Sequence, residues 1–158
     1  MNLKCLNIIC YTAIMQNEEA KIVQSAMRAH TGPSVVLCSR GYSFEKRLKE
    51  VVKYAEHEKI PHVIILHCPE KKYSETLVQE VTIRAQQIFS TMNNLLTQRG
   101  SAPLCFELVC KKGLLEENLA SLIKEGETKM VFLGMKMLDY RPEAIKELQG
   151  TTFCFLGN

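Results

Sequence analysis

The chain has 158 residues, of which 46% are apolar and 23% are charged, and its formal net charge is +3. This length suits a single folded core, and the composition excludes disordered, collagen-like and mucin-like proteins. The 20 basic and 17 acidic residues are spread along the whole chain, so no basic tract predicts nucleic-acid binding.

Residues 1–34 lack the strand-and-helix alternation of the rest of the chain. Apolar residues recur there at helical spacing, which predicts one broken helix or two short ones. The apolar stretch at 3–15 is shorter than the roughly 20 residues of a membrane span, and no small-residue cleavage site follows it. We therefore expect neither membrane insertion nor a secretory signal. Gly32 and Pro33 end the helical pattern, so we predict an N-terminal helical appendage at 1–34 and a domain at 35–158.

From residue 35 onward, strands alternate with helices. The unit at 35–68 is an apolar strand, a glycine turn, an amphipathic helix and a second apolar strand, which forces a parallel sheet. The strands are continuous apolar runs, as burial on both sheet faces requires. Right-handed crossovers then predict an α/β fold with an open, doubly wound, five-stranded parallel sheet and helices on both faces. The predicted elements are strand 35–39, helix 43–58, strand 62–67, helix 74–99, strand 104–110, helix 114–125, strand 129–134, helix 141–149 and strand 152–156.

Two patterns refine this arrangement. The second helix carries an apolar stripe that predicts packing onto the sheet, formed by Leu77, Val81, Ala85, Ile88, Met92 and Leu95. The third strand is interrupted by Glu107, and a carboxylate is tolerated best where a strand borders solvent. We therefore place this strand at an edge of the sheet.

The seven cysteines are an odd number, scattered along the chain without a Cys-x-x-Cys pair, so we predict neither a disulfide framework nor a metal site. Reduced thiols pack as small hydrophobes, which favours a reducing cytoplasm as the location. We interpret four cysteines in or beside apolar strands as core residues, namely Cys38, Cys68, Cys105 and Cys154. We interpret the four histidines, which lack helical pairing, as surface residues, namely His30, His57, His62 and His67.

Three stretches together resemble the universal stress protein family, of the adenine nucleotide alpha-hydrolase-like superfamily. They are the unit at 35–68, the Cys-Lys-Lys-Gly sequence at 110–113 running into a helix, and the apolar strand at 129–134 that ends in glycine. The resemblance covers 35–158. It implies the strand order 3-2-1-4-5 and a homodimer formed through the last strand, which would otherwise be an uncovered apolar edge.

The chain departs from the family at the positions that bind ATP. The family's aspartate after the first strand is matched by Arg40, and a guanidinium only donates hydrogen bonds, so it cannot accept one from adenosine. Arg40 could instead meet an anion, or it could be a solvated residue at a strand end. The family's glycine-rich phosphate loop keeps only Gly134, because its other positions fall on Met137, Glu147 and Leu148. We therefore predict that the loop that holds phosphates is missing.

No catalytic residues are predicted, because G-x-S-x-G, P-loop and H-E-x-x-H motifs are absent. The sequence favours a cytoplasmic universal-stress-like protein that uses no cofactor and acts through homodimerisation and a protein partner. An alternative is a protein that binds ATP, another nucleotide or a small anion at a rebuilt site formed by Ser39, Arg40, Gly41, Gly134 and Lys136. A third hypothesis is an interaction domain whose N-terminal helices dock a larger assembly.

Overall fold

A computed structural model describes residues 9–10, 12–16, 19–23, 32–40, 44–69, 74–134 and 151–156, with side chains described from residue 32 onward. The elements, in chain order, are β1 (Ile9–Cys10), β2 (Thr12–Gln16), β3 (Glu19–Val23), β4 (Pro33–Ser39), α1 (Glu45–His57), β5 (His62–His67), α2 (Glu75–Gln98), β6 (Cys105–Cys110), α3 (Leu115–Glu125), β7 (Glu127–Gly134) and β8 (Phe153–Leu156).

Five parallel strands form the centre of the fold in the order β6-β5-β4-β7-β8. This is the predicted order 3-2-1-4-5, and the predicted α/β class is confirmed. After β6 the chain returns past β4 and adds β7 and β8 on its other side. With right-handed crossovers, the helices before and after such a reversal lie on opposite faces of the sheet. The reversal places β4 and β7 side by side, in register from Val35 with Met130 to Leu37 with Phe132.

The helices cover both faces of the sheet, as predicted. α1 and α2 pack on one face, where they bury alternate strand residues such as Leu37, Ile65 and Phe106. Phe89 of α2 stacks on Phe106 with ring centroids 4.7 Å apart, and burial of such a ring contributes about 3 kcal/mol. α3 packs on the opposite face, where the other set of strand residues forms a second apolar cluster.

The helix boundaries lie within two residues of the predicted ones. α2 begins after Ser74, whose side-chain oxygen accepts a hydrogen bond from the Leu77 N–H at 3.1 Å and so satisfies a free donor of the first turn. The predicted apolar stripe of this helix is wrong at Leu95, which is 48% exposed. Phe89 and Leu96 lie on the side of the helix that faces the core and are buried instead. The predicted helix 141–149 lies outside the described residues.

The helical prediction is wrong for the described part of the N-terminal segment. β2 and β3 form an antiparallel pair from Thr12 with Val23 to Gln16 with Glu19. The strand 19–23 alternates polar and apolar residues up to Ile22 and is rich in β-branched side chains near its end, a pattern that favours a strand over a helix. The division of the chain into an appendage at 1–34 and a domain at 35–158 stays a prediction.

β6 ends the five-stranded order, and the two residues of β1 pair with it in parallel at Glu107 and Leu108. The prediction that Glu107 borders solvent is wrong, since its side chain is buried and lies 2.7 Å from the His62 Nε2. The surface prediction is also wrong for His62 and His67, which are 7% and 2% exposed. A buried histidine at a strand position cannot be recognised from helical spacing, because its burial depends on the strands beside it.

Two further properties concern the part of the chain that the structure describes. No helix there is both long and apolar enough to span a bilayer. Three of the four cysteines predicted to lie in the core, Cys38, Cys68 and Cys105, are buried and form no disulfide bond with the described residues, whereas Cys154 is half-buried.

Candidate functional site

The last residues of four neighbouring strands form a row on the side of the sheet that faces α1 and α2. Ser39 is in register with His67, and His67 with Cys110. Gly134 ends β7, two residues beyond Phe132, which is paired with Leu37 of β4. The row therefore crosses the point where the strand order reverses. Open α/β sheets bind ligands at this point, outside the carboxyl ends of the strands, so we take the row as the candidate site.

A buried serine–histidine pair occupies the middle of this row. The Ser39 Oγ lies 3.2 Å from the His67 Nδ1, and the two residues are 4% and 2% exposed. Burial lowers the pKa of His67 to about 4, because the imidazolium form would lose its hydration. The ring is therefore neutral at pH 7. Its Nε2 atom is buried and forms no hydrogen bond with the described residues.

A guanidinium group covers the glycine at one end of the row. A Cβ atom placed on Gly134 would lie 3.0 Å from the Arg47 Nη1, 3.1 Å from its Nη2 and 3.2 Å from its Cζ. The guanidinium therefore occupies the space that a side chain at position 134 would need. Arg47 stands in the first turn of α1, is half-buried, and forms no hydrogen bond or ion pair with the described residues. The absence of a Cβ at Gly134 makes this close approach possible.

The opposite face of the same strand ends carries two thiols. Burial raises the pKa of Cys68 to about 11, although the Asn118 side chain donates a hydrogen bond to its Sγ at 3.6 Å and the Arg40 charge opposes the rise. Burial raises the pKa of Cys38 further, with the neighbouring Cys68 as the next cause. Both thiols therefore stay protonated at pH 7 and pack as core residues rather than as nucleophiles.

The N-terminus of α3 also reaches this end of the sheet. Gly113 precedes it with a φ of +101°, which favours glycine, in agreement with the predicted glycine-led helix. The first turn contains Glu116 and Glu117. These carboxylates complement the positive end of the helix, so this terminus does not attract a second anion.

The structure brings together three of the five residues predicted for the rebuilt site. Ser39, Arg40 and Gly134 all lie at the carboxyl ends of β4 and β7, with Arg40 following Ser39 directly. Gly41 and Lys136 lie outside the described residues, as do the aligned positions 137, 147 and 148 of the family's phosphate loop. No cluster of three or more metal-ligating side chains occurs among the residues with described placement.

Two residues of the site were not predicted. His67 was interpreted as a surface residue, and Arg47 was not singled out within the predicted helix 43–58. The signal for His67 was its place at the end of an apolar strand, next to the carboxyl end of β4. No local signal identifies Arg47, because its role depends on how α1 crosses over β7.

No family model matches the chain, and no curated protein matches it either.

Proposed function

We propose that this chain is a universal-stress-like protein that is not an enzyme, does not bind ATP in the manner of that family, and acts in the cytoplasm through homodimerisation and contact with a protein partner. The observation that carries the proposal is the position of Arg47. Gly134 is the one glycine that matches the family's phosphate loop, and the guanidinium lies where a ligand would approach it.

Arg40 adds a second argument against the family's mode of ATP binding. It follows β4 at the position where the resemblance implies an aspartate. A guanidinium has five N–H donors and no acceptor, so it cannot replace a carboxylate that accepts hydrogen bonds from adenosine. Both arginines therefore work against adenine-nucleotide binding at this end of the sheet.

Dimerisation through the last strand is supported by the position of β8. It ends the strand order and pairs only with β7 among the described strands. Phe153, Cys154 and Leu156 are half-buried in the single chain, so the edge combines free backbone groups with apolar side chains. Such an edge is expected to pair with another strand. The five free thiols of the described residues fit a reducing compartment such as the cytoplasm.

Thermal unfolding with ATP, ADP, AMP and cyclic nucleotides tests the first part of the proposal. A ligand at 100 times its dissociation constant adds about 2.7 kcal/mol, which raises the Tm of a protein of this size by roughly 5–11 °C. We expect no rise, and a known ATP-binding protein serves as the positive control. A rise of several degrees with ATP would contradict this part of the proposal.

A matched pair of variants tests the dimer. The Val131 N–H donates to the Thr152 carbonyl at 2.9 Å, so Thr152 faces β7 and the N–H of the next residue, Phe153, faces the free edge. Phe153→Pro removes that outward donor, whereas Phe153→Ala loses the same ring but keeps the N–H. We expect sedimentation equilibrium to give a dimer for the wild type and the alanine variant and a monomer for the proline variant. A monomeric wild type would refute dimerisation.

A second function, the binding of a small anion at the carboxyl end of the sheet, is favoured by the same two arginines. Arg40 follows β4 and Arg47 covers the end of β7, so both flank the point where the strand order reverses. Two cations at a place where α/β sheets hold ligands favour a negatively charged ligand. A calorimetric titration with phosphate, sulfate and acetate tests it, and heat of binding from none of them would exclude this function.

A further inference from the structure

The first turn of α3 contains a buried carboxylate with an unsatisfied oxygen. Glu116 is 6% exposed, and its Oε1 atom is buried without a hydrogen-bond partner in the described part of the chain. Transfer of a charged group out of water is costly unless an opposite charge and hydrogen bonds replace the lost hydration. The carboxylate therefore offers an acceptor to a ligand that carries charged hydrogen-bond donors.

The packing of α3 fixes the direction in which Glu116 points. Leu115 and Leu119 face the sheet within the apolar cluster of this side. On one flank of the helix, the Asn118 side chain donates to the Cys68 Sγ at 3.6 Å, just beyond the end of β5. Glu116 lies two residues before Asn118, which is about 200° around the helix axis, so it points from the opposite flank. That flank faces β4 and β7, and α3 contacts β7.

Arg40 supplies a positive charge at the same end of the sheet. It directly follows β4, and the Cys68 N–H donates to the Ser39 carbonyl at 2.9 Å, so Arg40 lies beside Cys68. Burial is the main cause of the raised pKa of Cys38 and of Cys68. In both thiols the Arg40 charge opposes the rise and the Glu116 charge adds to it. The two opposite charges therefore lie near the same thiols, where the strand order reverses.

We propose that Glu116 and Arg40 bind a free α-amino acid at the carboxyl ends of β4 and β7, with its ammonium group on Glu116 and its carboxylate on Arg40. The proposal rests on the second proposed function, the binding of a small anion, and names the class of ligand. A simple anion would leave the Glu116 oxygen without a donor, and a simple cation would be repelled by Arg40. A zwitterion forms a charge-assisted hydrogen bond with each group.

Calorimetric titration with three small molecules tests the proposal. L-alanine carries both charged groups, propionate lacks the ammonium group, and ethylamine lacks the carboxylate. We expect the wild type to bind L-alanine at least tenfold more tightly than either of the other two, because each of them loses one charge-assisted hydrogen bond. Ethylamine that binds as tightly as L-alanine would remove Arg40 from the site and overturn the proposal as stated.

A matched pair of variants tests the role of the carboxylate. Glu116→Gln keeps the shape of the side chain and removes its charge, and we expect it to weaken L-alanine binding at least tenfold while propionate binding stays within about threefold. Glu117→Gln removes the exposed carboxylate of the next residue and should leave both affinities unchanged. Arg40→Gln should weaken L-alanine and propionate alike. Circular dichroism checks that each variant is folded.

Thermal unfolding without ligand gives a second readout that does not depend on binding. Glu116 and Glu117 both stand in the first turn of α3, so either substitution removes a charge that is favourable at the helix N-terminus. Only Glu116→Gln also removes a buried carboxylate with an unsatisfied oxygen, so we expect it to have the higher Tm of the two. A Tm no higher than that of Glu117→Gln would show that the protein itself satisfies this carboxylate, which would overturn the proposal.

The outcomes distinguish this inference from the second proposed function. Binding of acetate or propionate, with L-alanine no tighter than propionate, would overturn the inference and leave anion binding intact. The same holds if Glu116→Gln binds L-alanine as tightly as the wild type does. No binding of phosphate, sulfate, acetate or L-alanine by the wild type would refute both.

Discussion

Burial of the His67 imidazole makes the free energy of unfolding depend on pH. The pKa of the ring falls from an ordinary value of 6.5 to about 4 in the folded protein, and burial is the cause. The unfolded chain therefore binds a proton more readily than the folded chain does. The contribution of His67 to stability is complete above pH 6.5 and is lost as the pH falls towards 4.

The size of this loss follows from the two pKa values. The difference between 6.5 and about 4 predicts that the folded state loses about 3 kcal/mol by pH 4. For a domain of this length, such a loss lowers the Tm by about 6–12 °C. This is a large share of the total stability of a small domain, roughly 5–15 kcal/mol.

Urea unfolding at pH 7 and pH 4 measures the effect. Other groups also titrate in this range. We therefore measure how much the free energy of unfolding falls from pH 7 to pH 4 in the wild type, and subtract the fall measured in His67→Gln. We expect the wild type to lose about 3 kcal/mol more than the variant. His57→Gln is the control, because its imidazole side chain is 84% exposed and lies beside Glu58 at the surface. Equal losses in the wild type and in His67→Gln would refute the reasoning, whatever the stability of the variant at pH 7.

Three further predictions concern buried polar groups. Asn93→Ala should cost about 2–5 kcal/mol in urea unfolding, because the amide bonds both the N–H and the carbonyl of Leu104, at 2.9 and 3.0 Å, and the variant leaves them unsatisfied. Glu107→Ala should cost about 1–3 kcal/mol by the same assay, because it removes the carboxylate that lies 2.7 Å from the buried Nε2 of His62. Cys68 should resist alkylation in the native protein at pH 8, as measured by mass spectrometry, because burial raises its thiol pKa to about 11.

Each of these predictions has a matched control. Thr91→Ala removes an exposed side-chain hydrogen bond to the helix backbone and should change stability by less than about 0.5 kcal/mol, so an equal effect at Asn93 would contradict the role assigned to the buried amide. Replacing His62 and Glu107 together by leucine should recover most of the loss, and failure to do so would mean that the pair is not the cause. Cys68 should react in urea, and reaction in native buffer would show that the thiol is accessible.

The sheet could be predicted because its signals are local. Each central strand is a continuous apolar run, each helix has its own apolar face, and right-handed crossovers leave few orders for such units. The described strands of the N-terminal segment were predicted wrongly as helix because their short apolar runs fit helical spacing as well as strand alternation. The paired strands at Thr12–Gln16 and Glu19–Val23 depend on their mutual register, which no single stretch of sequence reveals.

The candidate site could be predicted only in part for the same reason. Ser39 and Gly134 end apolar runs, so their place at the carboxyl edge follows from the alternation of strands and helices. The pairing of Ser39 with His67 depends on the alignment of β4 with β5, and the contact of Arg47 with Gly134 depends on the position of α1 over β7. The location of the site can be predicted from local strand and helix signals. Its side-chain contacts cannot, because they join elements that are distant in sequence.

The contact between Arg47 and Gly134 connects the two proposed functions. In the family that the sequence resembles, the matching glycine belongs to a loop that binds phosphates through the backbone. Here the glycine leaves room for the Arg47 side chain, whose guanidinium carries a positive charge. The same contact that supports the first proposal therefore also supports the second, because a positive charge at this edge of the sheet favours a small anion.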